Sequence, residues 1–165
     1  MDTLRNNWIK VTAHYGADET LASNIYNDLL KRYSESGRYY HNLTHIQTLL
    51  QDIGEYYNGA MPHELYFAVW FHDAIYSTIK GNNEARSAEL AEEQLRLLNV
   101  PPDTIKQVSD LILKTANHAN AEANDEATKV FLDADLKILG IPADGYAAYT
   151  QQVRKEYQLV PDVLF

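Results

Sequence analysis

Apolar residues recur every three or four positions along almost the whole of this chain, and that spacing confines it to helices. Leu21, Ile25 and Leu29 form one stripe, with Asp18 placed to cap the helix that carries it. Ile46, Leu49, Leu50 and Ile53 form a second, Ala88, Ala91, Leu95 and Leu98 a third, and Ile105, Val108 and Ile112 a fourth. Tyr146, Tyr149, Val153 and Tyr157 make a last, more aromatic one. No long run alternates with period two, so no sheet is expected. Breakers fall between the stripes at Gly16, Ser34–Gly37, Asn58-Gly59, Gly81-Asn82-Asn83, Pro101-Pro102 and Gly140–Pro142. The pattern predicts helices near 2–14, 18–34, 43–58, 62–73, 84–98, 102–115, 125–139 and 143–157. With no internal repeat and no Pro/Ser-rich linker, residues 1–165 are expected to form a single all-α domain.

Composition narrows the function. No stretch approaches the ~20 consecutive apolar residues of a membrane helix. The first residues, MDTLRNNWIKVTAHYG, lack the basic-then-apolar layout of a secretory signal, so a cytoplasmic location is the default expectation. The chain has no cysteine, which excludes disulfides and thiolate metal sites; any bound metal must use His, carboxylates and water. A formal net charge of −9 disfavours a nucleic-acid polymer as partner. It leaves room for a small phosphorylated substrate, because a divalent cation in a carboxylate-lined pocket reverses the local sign. The acidic excess also serves solubility by itself.

Three segments carry chemistry. In YHNLTHI, residues 40–46, His41 and His45 are four apart, a spacing that puts two helical side chains on one face. Asn42 is a possible cap, which would leave His41 just outside the helix; the pair is either a metal signal or two surface histidines. In YFAVWFHDAIY, residues 66–76, an almost wholly apolar run ends in His72-Asp73. A helix apolar on most sides is a buried helix. Burying an unpartnered neutral polar group costs about 2–7 kcal/mol, and a charge costs more. A metal satisfies both residues; a hydrogen-bonded His–Asp pair or a capped helix end is the alternative. In KVFLDADLKILG, residues 129–140, Leu132, Leu136 and Leu139 share a face with Asp135 at its margin. Asp133 lies about 200° away from Asp135, so both are not expected on one ion. Two imidazoles and two carboxylates suit Mn, Fe, Co, Ni or Zn, and carboxylate-rich versions accept Mg.

The order His, His-Asp, Asp resembles the HD-domain superfamily of metal-dependent phosphohydrolases. YHNLTHI is similar to the His-Asn-x-x-His signature of the cyclic-nucleotide phosphodiesterases within it. With FHDAIY, NNEARSAELA, TANH and FLDADLKILG, the chain is most similar over roughly residues 5–160 to a compact bacterial group of predicted phosphohydrolases. The resemblance implies a helical bundle of the HD type, with His45, His72, Asp73 and Asp135 on the metal and His41 protonating the leaving group. Two departures bear on metal number. The phosphodiesterases carry a further His soon after His-Asp, where this chain has AIYSTIKG, and only His118 stands where two-metal relatives place a spaced His pair. One tightly bound divalent ion is therefore expected.

The implied chemistry is hydrolysis of a phosphate ester or anhydride. A bound divalent ion lowers the pKa of its water from 15.7 towards about 7 and polarises a phosphoryl oxygen. Asp73 or Glu84 would accept the proton of the attacking water. Glu84 has a second reading as a helix N-terminal carboxylate favoured by the macrodipole. Arg38 is a phosphate-clamp candidate, Tyr76 lies near enough to His72-Asp73 to line a pocket, and His118 either faces the site or sits in a loop. Arg86 is more simply a solvent-facing residue, and His14 and His63 are read as surface residues. Two other classes of function compete: a non-catalytic metal- or nucleotide-binding regulatory module, and a plain helical interaction protein.

Overall fold

The most apolar segment of the chain becomes its central helix. In the computed structural model, which describes residues 2–120 and 125–161 apart from the side chains of residues 2 and 118–120, the described residues form eight α-helices and no strand. They are α1 (Asp2–Ala13), α2 (Glu19–Tyr33), α3 (Leu43–Tyr56), α4 (His63–Phe71), α5 (Asn83–Leu97), α6 (Pro102–Lys114), α7 (Glu126–Leu136) and α8 (Ala143–Glu156). Two 3-10 turns, Thr115–Asn120 and Lys137–Gly140, follow α6 and α7. All eight expected helices are present.

Every residue of α4 from Leu65 to Phe71 is buried. This follows from its composition: with no polar face, α4 must be surrounded, and it packs against α3, α5, α6 and α7. Trp8 of α1 closes one side, meeting Phe67 and Trp70 edge-on, while its indole N–H donates to the Ala22 carbonyl at 2.8 Å. Such aromatic pairs add about 0.5–1.5 kcal/mol each beyond the area they bury. The stripes of α2, α3, α5 and α6 face this core, with Ile25, Leu29, Ile46, Leu49, Ile53, Ala91, Leu95, Val108 and Ile112 all buried.

Two local expectations are corrected. First, α4 ends at Phe71, so His72 and Asp73 stand at its C-terminal exit rather than within it. Second, Leu136 and Leu139 are 38% and 52% exposed. The chain tightens into a 3-10 turn at Lys137, and the inward face of α7 runs through Thr128, Phe131 and Asp135, at i, i+3 and i+7. The aromatic stripe of α8 lies towards the surface, with Tyr146 42% exposed, and the buried residue of α8 is Glu156. No helix among the described residues is long and apolar enough to cross a membrane.

Candidate metal centre

The site is assembled from three helix ends. Asn42 adopts extended backbone and accepts the Thr44 N–H on its side chain at 2.8 Å, starting α3 at Leu43. His41 is thereby left in the preceding loop, and His45 sits in the first turn, buried. His72 follows the last residue of α4, its N–H still bonded to the Ala68 carbonyl. Asp135 comes from the last turn of α7.

These pieces bring imidazole and carboxylate atoms to one point. His45 Nε2 lies 3.2 Å from His72 Nε2 and 3.2 Å from Asp135 Oδ1. His72 Nε2 lies 3.1 Å from Asp73 Oδ2. The longer separations are His45 Nε2 to Asp73 Oδ2 at 3.9 Å and His72 Nε2 to Asp135 Oδ1 at 3.8 Å. Metal–ligand bonds of about 2.0–2.2 Å place neighbouring donors about 2.8–3.1 Å apart at right angles and about 3.3–3.6 Å apart at tetrahedral angles. The shorter contacts match those edges, and the longer ones correspond to wider angles. His45, His72 and Asp73, whose donor atoms lie within 4.8 Å of one another, can hold a metal ion. Asp133, by contrast, is exposed, as its position on the far side of α7 dictates.

The surroundings prepare these donors for a cation. His72 Nδ1–H donates to the Val69 carbonyl at 2.9 Å, which leaves Nε2 of the neutral ring as a lone pair. The side chains of His45 and His72 are only 5% and 2% exposed, and the two carboxylates are 16% and 14% exposed. In the metal-free protein, burial pushes the His72 pKa down, but the adjacent Asp73 and Asp135 charges override it and raise it to about 9. Burial pushes Asp73 up, and the His72 and His41 cations outweigh that, holding its carboxyl well below the usual range.

His41 stands beside this cluster in a separate hydrogen-bonded unit. Its Nδ1–H donates to Glu156 Oε2 at 2.6 Å. Glu156 Oε1 accepts the main-chain N–H groups of Tyr39, Tyr40 and His41 at 2.8, 2.7 and 2.9 Å. The Tyr76 hydroxyl donates to Oε2 at 2.9 Å, and its ring stacks on the His41 ring with centroids 4.4 Å apart. Burial lowers the His41 pKa, and the Asp73 charge and the Glu156 bond reverse this to a net rise. Burial likewise opposes ionisation of Glu156, yet His41 and the main-chain donors bring its pKa down to about 2.

Glu156 was not visible in the stripe of Tyr146, Tyr149, Val153 and Tyr157 that marked α8. One signal existed: Glu156 lies seven residues after Tyr149 and three after Val153, an acid on the inward side of that helix. Its folded pKa near 2 against the ordinary 4.5 means that its contribution to stability is full above about pH 5 and is lost as pH falls towards 2. Glu156→Gln should therefore cost about 3 kcal/mol at pH 7 and flatten the loss of stability between pH 5 and 2, as measured by urea denaturation across that range. A variant with the wild-type stability and acid profile would show that the bonds to Glu156 carry no weight.

The remaining expected site residues fall differently. Arg38 does not present its guanidinium to a phosphate: it donates to the carbonyls of His41 (3.1 Å), Asp73 (2.7 Å) and Ala74 (3.1 Å) and lies between the Tyr33 and Tyr76 rings. It braces the His41 loop against the Asp73 backbone. Glu84, half-buried in the first turn of α5, makes no hydrogen bond or ion pair with the cluster among the described residues. Tyr76 does lie at the site, through Glu156 and His41. The His118 side chain lies outside the described residues. His63 is not a simple surface residue, since it bonds the Tyr15 hydroxyl at 2.8 Å and packs against exposed His14.

Compared with known proteins, the chain matches no family model, no curated protein and no solved structure.

Proposed function

We propose that this protein is a divalent-metal-dependent phosphohydrolase of the HD type, acting on a small phosphorylated metabolite. The observation that carries the proposal is the pairing of a four-donor cluster with a separately held imidazole, His41, at its edge. His45, His72, Asp73 and Asp135 would hold the ion, which can be Mn, Fe, Co, Ni, Zn or Mg. The ion supplies water activation and phosphoryl polarisation when bound.

The chain's own residues divide the proton work. Asp73 meets the cluster through Oδ2 and would accept the proton of the attacking water. Glu84 has no bond to the cluster, so this role rests on Asp73. Glu156 fixes His41 Nδ1 and raises the ring's proton affinity, so the proton delivered to the leaving oxygen comes from Nε2. An imidazole oriented by a buried carboxylate beside the cluster favours turnover over mere binding.

The test is phosphate release by protein loaded with Mn²⁺, Co²⁺ or Zn²⁺, over a panel of aryl phosphate, aryl diester, sugar phosphates and nucleoside mono-, di- and triphosphates. Metal-dependent release from at least one is expected. Binding without release across the panel would establish the regulatory module instead.

A further inference from the structure

Between Tyr39 and His41 the main-chain N–H groups face one way and the carbonyls are taken up elsewhere. The Tyr39 and Tyr40 carbonyls are held by Asn42, through its side-chain amide at 2.9 Å and its main-chain N–H at 2.8 Å. Arg38 holds the His41 carbonyl at 3.1 Å. Each peptide unit is planar, so a fixed carbonyl fixes the N–H of the residue that follows it. Asn42 therefore aims the N–H groups of Tyr40 and His41, whatever they bind. With that of Tyr39 they converge on a single oxygen, Glu156 Oε1. Successive main-chain N–H groups in a turn form a concavity that binds anions. The Tyr76 hydroxyl and His41 Nδ1 complete it by meeting Oε2, so that five donors surround one planar, two-oxygen anion.

The occupant comes from a helix with little else to hold it. Among the described residues, Glu156 is the one buried residue of α8, and no α8 side chain joins the apolar core. Its other contacts with the turn are made by rings: Tyr149 meets Tyr40 edge-on with centroids 4.6 Å apart, and the Lys155 ammonium lies 5.7 Å from the centre of the Tyr39 ring. A cavity of about 260 Å³ has Arg38, Tyr76 and Glu156 itself in its wall, so a shortened side chain at position 156 leaves the donors open to it.

We infer that this cradle is a carboxylate-binding site in its own right, and that α8 docks on the protein as its built-in ligand, through Glu156. Docking of α8 and orientation of His41 are then a single event. Both statements hold whether or not the protein hydrolyses phosphate.

The test is chemical rescue of Glu156→Ala by acetate, which replaces the CH₂–COO⁻ that the substitution removes. Alanine keeps the helix and leaves the five donors unpaired, so Tm should fall. About 0.2 M sodium acetate should then raise Tm by about 4 °C or more beyond the same concentration of sodium chloride, and the rise should saturate. Wild type, whose cradle is full, and Glu156→Gln, whose amide fills the same space, should not respond. If Glu156→Ala is unfolded without acetate, its helical circular dichroism should return as acetate is added. Hydrogen exchange reads the docking: α8 amides should exchange at least about tenfold faster in Glu156→Ala, and acetate should not restore their protection, because the tether is gone. The inference is overturned if acetate does no more than chloride, if wild type or Glu156→Gln responds equally, or if α8 stays protected in Glu156→Ala.

Discussion

Asp73→Ala and His72→Ala should each lower phosphate release by about 10³-fold or more, with the loss not recovered by raising substrate concentration. The magnitude follows from the several kcal/mol of charge stabilisation that a bound divalent ion contributes at a phosphoryl group, each 1.36 kcal/mol being about tenfold in rate. Both residues hold their partner directly: His72 Nε2 and Asp73 Oδ2 are 3.1 Å apart, and both are close to His45 Nε2. Thermal denaturation supplies a second readout. An ion at 100 times its Kd stabilises the folded state by about 2.7 kcal/mol, so added Mn²⁺ or Zn²⁺ should raise the wild-type Tm and leave those of the two variants almost unmoved. Equal activity, or an equal metal-induced rise in Tm, would detach His72 and Asp73 from the ion.

His41→Ala should behave in the opposite manner: it keeps the metal and loses about 10²–10⁴-fold in turnover. The separation is expected because His41 Nδ1 is held by Glu156 at 2.6 Å and the ring is not part of the converging trio. A general acid matters most when the leaving oxygen is basic. The loss should therefore be large for an alkyl phosphate and small for a nitrophenyl phosphate, whose leaving group departs without a proton. Glu156→Gln should give a milder version and move the alkaline limb of the rate profile to lower pH, since the Glu156 bond acts with the Asp73 charge to raise the proton affinity of His41. If metal and activity disappear together in His41→Ala, or the loss is the same for both leaving groups, His41 is a ligand or a structural residue.

The helices were legible because their signal is local. Periodic stripes and breakers lie within a few residues of each other, and the Asn42 cap is a contact to Thr44. His72 and Asp73 were legible for a related reason: a polar residue at the end of an apolar helix is costly without a partner wherever that partner comes from. What the sequence hid are pairings across long separations. Arg38 finds Asp73 and Ala74 at 35 and 36 residues' distance, and Glu156 finds His41 across 115. Neither residue type announces which carbonyl or imidazole it will meet, so Arg38 resembled a phosphate clamp and Glu156 was not singled out. The inward face of α7 was misassigned because the shift to a 3-10 turn at Lys137 breaks the 3.6-residue count that linked Leu132 to Leu139.

The central claim is that His45, His72, Asp73 and Asp135 share one divalent ion, and the direct test is elemental analysis after exhaustive dialysis of wild type and the four single alanine variants, each loaded with Zn²⁺ or Mn²⁺. The account predicts about one equivalent of metal per wild-type chain and a marked loss in all four variants. Wild-type protein that retains none, or variants that keep the full equivalent, would contradict it.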